Sequence, residues 1–152
     1  MNPQAAQNYL RTKVLTATPE QLQLMLYDGA IRFTEQAKLA IGRKDFEATY
    51  NSISRAQKII TELTVSLKPE LAPDLCKNLS ALYTYCYKKL VDASIQHDLA
   101  ALDEAINLLK YQRETWAMLL DKLGKTKAAA AATSIDMPAP DSRMEASISM
   151  QG

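Results

Sequence analysis

The side chains able to do acid–base, nucleophilic or metal chemistry are few here, and their spacing suits none of it. One histidine, His97, occurs in 152 residues. A zinc or di-iron helical bundle needs inward-facing Glu-x-x-His pairs, and the sequence has none. The two cysteines are Cys76 and Cys86. One helix carrying both separates them by about 15 Å, too far for a disulfide within the chain. They read as buried or half-buried thiols of a cytoplasmic protein. Nothing else supports a cysteine nucleophile paired with His97, which falls at a helix–helix turn beside a negative dipole end. No glycine-rich phosphate loop and no nucleophile elbow occur. The chain reads as no enzyme, with no metal and no cofactor.

Composition narrows the remaining classes. The net charge of +1 leaves no basic excess for nucleic acid, and Lys88-Lys89 is only a short cluster. No window approaches the roughly 18 consecutive apolar residues that span a bilayer. Residues 1–7 lack the basic and apolar regions of a signal peptide. With 47% hydrophobic residues, four glycines and six prolines, the chain favours one domain of long helices.

The elements follow from caps and periodicity. Residues 1–17 read as an arm rather than a strong helix. Thr18-Pro19-Glu20-Gln21 opens a helix: Thr18 caps, Pro19 suits the first position, and Gln21 completes a capping box. Leu22, Leu26, Gly29, Phe33, Ala37 and Ala40 form its stripe, widened by Leu24, Tyr27 and Ile31. Asp45 caps a second helix with the heptad-like seam Thr49, Ile53, Ala56, Ile60, Leu63, Leu67. A third helix starts at Pro73, with seam Leu75, Leu79, Leu82, Cys86, Leu90, Ala93. Asp98 caps the fourth, whose stripe Leu102, Ile106, Leu109, Trp116, Leu120, Leu123 is interrupted by Arg113 and closed by Gly124. The expectation is all-α: an antiparallel four-helix bundle over residues 18–124, an N-terminal arm over 1–17 and a disordered tail over 125–152.

Two positions break the pattern. Gly29 would let another backbone approach closely. Arg113 either packs its stem with its head in solvent, the favoured reading, or pairs with Asp28. Tyr27, Tyr83, Tyr85 and Tyr87 exceed what one inward stripe can hold. Such surplus aromatic surface suits a groove for a partner segment, and equally suits rings buried with wet hydroxyls.

Thr16-Ala17-Thr18-Pro19-Glu20-Gln21-Leu22, followed by Leu24-Met25-Leu26-Tyr27-Asp28-Gly29-Ala30-Ile31-Arg32-Phe33, resembles the signature of the flagellar secretion chaperone FliS family. Ala56 to Leu63, Asn78 to Tyr85, and Leu108-Leu109 with Trp116 agree in order and spacing, so the resemblance covers about residues 8–123. The chain departs from the family at Ala72-Pro73, where a Gly-Gly turn is usual, and at Ala93-Ser94. The resemblance implies a cytoplasmic bundle that binds the disordered C-terminal segment of flagellin in hydrophobic grooves. Such binding prevents early polymerisation and supports delivery to the type III export apparatus. Tyr9 matches an arm tyrosine of the family, whose arm can lie over the groove. The contact residues it implies here are Tyr9, Leu10, Val14, Leu26, Tyr27, Ile60, Leu63, Asn78, Leu82, Tyr83 and Tyr85. Tyr83→Ala and Tyr85→Ala are then expected to weaken binding without unfolding the bundle. Export-gate components and an anti-sigma factor are further candidate partners, and the unbound chain is a monomer or a homodimer. The competing reading is a regulatory or scaffold bundle that binds another flagellar protein such as an anti-sigma factor.

Overall fold

The computed structural model describes residues 2–136. Five helices follow in order: α1 (Pro3–Thr16), α2 (Pro19–Gly42), α3 (Phe46–Val65), α4 (Pro73–Gln96) and α5 (Leu99–Asp136), with no strand among the described residues. The described residues divide into two compact units, one ending at Ala117 and the other beginning at Met118.

The reading of residues 1–17 as an arm without strong helix gives way to α1. The Asn2 side chain accepts a hydrogen bond from the Gln4 amide at 3.0 Å, and Pro3 occupies the first turn. Those local signals suffice for a helix, although α1 buries none of its residues.

Helix α2 starts as its sequence dictates. The Gln21 amide donates to Thr18 Oγ1 at 3.1 Å, and the Thr18 amide donates to Gln21 Oε1 at 3.0 Å. Its buried seam is Tyr27, Ala30, Ile31, Thr34, Ala37 and Ala40. Leu22 is exposed, and Leu26 and Phe33 are half-buried at the edge. Gly29 makes room for a side chain, not for a backbone: a Cβ there would stand 3.1 Å from Ile59 Cδ1.

Helix α2 ends in a Schellman turn. The Asp45 amide bonds the Ala40 carbonyl and the Lys44 amide bonds the Ile41 carbonyl, both at 2.9 Å. Lys44 takes the left-handed position with φ 58°, while the glycine sits two residues earlier. A left-handed L-residue costs about 1–2 kcal/mol. Lys44→Gly should therefore stabilise the protein by about 1 kcal/mol, seen as a higher urea midpoint with unchanged slope. An unchanged or lower midpoint rejects this account of the turn.

Helix α3 matches its sequence seam: Thr49, Ile53, Ala56, Ile60 and Leu63 are buried, and Leu67 packs against the core. Asp45 accepts the Ala48 amide at 3.1 Å. In α4 the seam runs one residue away from expectation over its first half. Cys76, Tyr83, Cys86, Leu90 and Ala93 are buried, Leu79 and Leu82 are half-buried, and Leu75 is exposed.

Helices α2 and α5 are antiparallel neighbours. Asp28–Arg113, Glu35–Lys110 and Lys38–Asp103 pair at 2.8, 3.1 and 2.7 Å, rising along one helix as they fall along the other. Arg113 thus takes the ion-pair alternative, since Asp28 stands within reach across the helix interface. The Trp116 indole N–H donates to the Glu20 carbonyl at 2.8 Å and ties α5 to the first turn of α2.

Asp98 caps α5, accepting the Ala100 amide at 2.9 Å. Gly124 does not end the helix, which continues to Asp136. One glycine costs about 1 kcal/mol. Against that stand an Asp121–Lys125 pair at 3.1 Å spanning Gly124 and the alanine run 128–132. The disordered tail is thereby corrected over 125–136, and its remainder, 137–152, lies outside the described residues.

Candidate partner-binding groove

Three tyrosines of α4 point in three directions, because a helix turns about 100° per residue. Tyr83 is fully buried, and its hydroxyl bonds the hydroxyl of Tyr27, which is also buried. The two rings lie 6.4 Å apart, tilted by 44°. Burial, then the bond to Tyr27, pushes the Tyr83 phenol well above its ordinary range. Tyr85 lies half-exposed on the α5 side, its hydroxyl donating to Glu104 Oε1 at 3.1 Å. Lys89 stands over the Tyr85 ring and pairs with Glu104 at 2.9 Å. Hydrogen bonds from Lys89 and Tyr85 hold the Glu104 carboxyl below its usual range.

Tyr87, the third, lines a groove of about 280 Å³ between α3 and α4. Ile60 and Tyr83 are its floor, and Thr61, Thr64, Val65, Thr84, Tyr87 and Lys88 line it further. The threonines on α3 make it less polar than their type suggests. Thr61 and Thr64 donate their hydroxyls to the carbonyls of Gln57 and Ile60, at 3.0 and 2.8 Å. With the hydroxyl hydrogens committed to the helix backbone, no free donor from these two faces the groove. Val65 is 69% exposed, an apolar side chain left without cover.

The expected contact residues therefore separate. Tyr27, Ile60, Leu63 and Tyr83 are interior and offer no open surface, although Ile60 and Tyr83 floor the groove. Leu26 and Leu82 are half-buried, and Asn78 and Tyr85 are exposed. Tyr9, Leu10 and Val14 are exposed on α1. The C-terminal end of α1 meets α2 and α5 at a second concavity, of about 410 Å³, lined by Lys13, Thr16, Ala17, Gln21, Leu24, Met25, Asp28 and Arg113. Sequence reasoning missed Thr61, Thr64 and Val65. Their signal was a β-branched run flanking the seam residues Ile60 and Leu63.

Both thiols are free and buried. Burial pushes the Cys86 thiol from its ordinary 9.0 up to about 11. A raised acid pKa means that unfolding favours ionisation. This contribution to stability is intact below pH 9 and is lost progressively as pH rises through 9 to about 11. At pH 8, Cys86 should react with a maleimide only when the bundle unfolds; rapid native labelling located at Cys86 by peptide mapping overturns its placement.

Among the described residues, no group of His, Cys, Asp or Glu could hold a metal ion, and no helix is long and apolar enough to cross a membrane. His97, the one histidine of the sequence, stacks on Phe46 with ring centroids 3.9 Å apart. What the molecule offers is apolar concave surface along helices, which suits holding a polypeptide.

Known proteins resemble this chain in fold and in sequence. A solved structure, a crystal structure of a flagellar chaperone from bacteria, has a similar fold. The TM-score is 0.65 at 17% identity, covering 80% of this chain and 99% of that one. The flagellar secretion chaperone FliS of Bacillus subtilis (strain 168) is 34% identical over 126 residues, 83% of this chain and 92% of its own. Its counterpart from Salmonella typhimurium (strain LT2) is 33% identical over 118 residues, 77% of this chain and 87% of its own. The family model described as flagellar protein FliS matches residues 1–123. The family model and these relatives converge on one assignment: the chain belongs to the FliS family of flagellar chaperones.

Proposed function

We propose that this chaperone binds the disordered C-terminal segment of flagellin in the groove between α3 and α4, within the cytoplasm. Binding keeps flagellin from polymerising early and delivers it to the flagellar type III export apparatus. The observation that carries the reading is the apolar α3–α4 groove with the uncovered Val65 and Tyr87 beside it. Relatives named flagellar secretion chaperones support it. A disordered client pays conformational entropy on ordering, so it needs a long apolar surface to bind well. Occupying the segment that flagellin uses for assembly blocks that assembly directly.

Calorimetry with a C-terminal flagellin peptide from the same cell is expected to show binding at micromolar concentrations, with co-elution in gel filtration. No heat and no co-elution at tens of micromolar reject the reading. Export-gate components and an anti-sigma factor are candidates for the same groove, and a pull-down without flagellin would move the assignment to them. Helix α1, with Tyr9, Leu10 and Val14 outward, acts in this reading as a competitor for client surface. Deleting residues 1–14 should then change flagellin affinity in the same titration; an identical affinity removes α1 from the mechanism.

A further inference from the structure

Helix α4 has a proline start at Pro73 but lacks the side-chain cap that secures the other long helices of the bundle. Its N-cap is Ala72, which makes no side-chain hydrogen bond. Thr18, Asp45 and Asp98 cap α2, α3 and α5 with side-chain acceptors. A missing cap leaves first-turn amides to solvent and lowers the cost of fraying.

Packing repeats the pattern. Val65, the last residue of α3, lies at the groove together with Tyr83, Thr84, Tyr87 and Lys88 of α4. Ten residues of α4, Pro73 to Leu82, precede Tyr83. They extend about 15 Å past the end of α3, where Leu79 and Leu82 still pack against the core as half-buried residues. Of those ten only Cys76 is buried, and Leu71 and Leu75 are 76% and 58% exposed. From Tyr83 onward the seam closes: Tyr83, Cys86, Leu90 and Ala93 are each fully buried. The Tyr27–Tyr83 hydroxyl bond stands at the changeover.

We infer that residues 68–80 form a local opening unit, in which the connector and the first two turns of α4 detach from the bundle while α4 from Tyr83 onward stays packed. Opening uncovers Cys76 and Leu79 and lengthens the α3–α4 groove at the end marked by Val65. The free energy of such an opening is set by the contacts the unit makes, and this unit buries only Cys76, with Leu79 half-buried against the core. The inference extends the groove reading above. The test uses no partner, so its failure leaves flagellin binding untouched, and failure of flagellin binding leaves the opening untouched.

Native-state hydrogen exchange on the full chain reads the opening directly. Amides of residues 77–80 should exchange at least about 100-fold faster than those of 86–93, with little dependence on low urea. Ala72→Ser, which restores a cap, should slow exchange at 77–80 roughly five-fold and leave 86–93 almost unchanged. The two cysteines report the same event from either side of Tyr83. Cys76 should label at a rate nearly independent of urea below the unfolding transition, and Cys86 at a rate that climbs steeply with urea. Equal protection on both sides of Tyr83 overturns the inference. So does a uniform effect of Ala72→Ser, or labelling of both thiols with the same steep urea dependence.

Discussion

Replacing Tyr83 by alanine should destabilise the bundle by about 3–5 kcal/mol, against a total of about 5–15 kcal/mol for a domain of ordinary stability. The ring is fully buried, at the floor of the α3–α4 groove and beside Tyr27 of α2. Truncation opens a cavity under three helices and strands the Tyr27 hydroxyl. The expectation from sequence, that Tyr83→Ala weakens binding and leaves the fold intact, gives way for this reason. Conservative variants separate the two losses. Tyr83→Phe keeps the ring and orphans the buried Tyr27 hydroxyl, costing about 1–3 kcal/mol. Tyr27→Phe together with Tyr83→Phe removes both partners and should recover most of that loss. Urea denaturation of the four proteins measures the coupling. Simple additivity of the two phenylalanine substitutions would sink the paired-hydroxyl account. Alkaline pH offers an independent reading, because the Tyr83 phenol is raised by burial. Its contribution is intact below the unfolded value near 10 and declines as pH rises above it.

Val65→Lys should weaken flagellin-peptide affinity by about tenfold or more while shifting stability by less than about 0.5 kcal/mol. Val65 is 69% exposed at the end of α3, so a longer side chain meets no wall in the free protein. A lysine also suits the negative end of the helix dipole. In the proposed complex the same position would face the client segment, beside Lys88, where a second ammonium must either lose water or hold the client away. Calorimetry and a thermal melt on one preparation decide between outcomes. Unchanged affinity moves the client off the α3–α4 groove. A fall in affinity that tracks a fall in melting temperature makes Val65 a structural residue.

Local signals determined much of this molecule before any tertiary contact is considered. The capping box of Thr18 and Gln21, the caps Asp45 and Asp98, the proline starts at Pro19 and Pro73 and the alternating seam of α3 are all short-range. Each involves residues within one or two helical turns, so each is present in the sequence as a spacing. The absence of an enzyme motif and the resemblance to flagellar chaperones were legible in the same way. The α1 helix was legible too, in Asn2-Pro3, but its weak apolar pattern hid it.

Only the tertiary structure decided which apolar residues are core. Two seams compete in α4, one through Leu75 and Leu82 and one through Cys76 and Tyr83. They differ by a rotation of about 100°, and either joins Cys86, Leu90 and Ala93. The choice depends on Tyr27, 56 residues away, whose hydroxyl needs a buried partner. Arg113 finds Asp28 across 85 residues at a partly exposed edge, where proximity and opposite charge suffice. Polar groups taken out of water must be paired, and their partners come from other helices. Periodicity fixes a helical face to within about one residue, and long-range polar pairing sets the final rotation. That rotation places Tyr83 under the groove, Tyr87 within it and Tyr85 against α5.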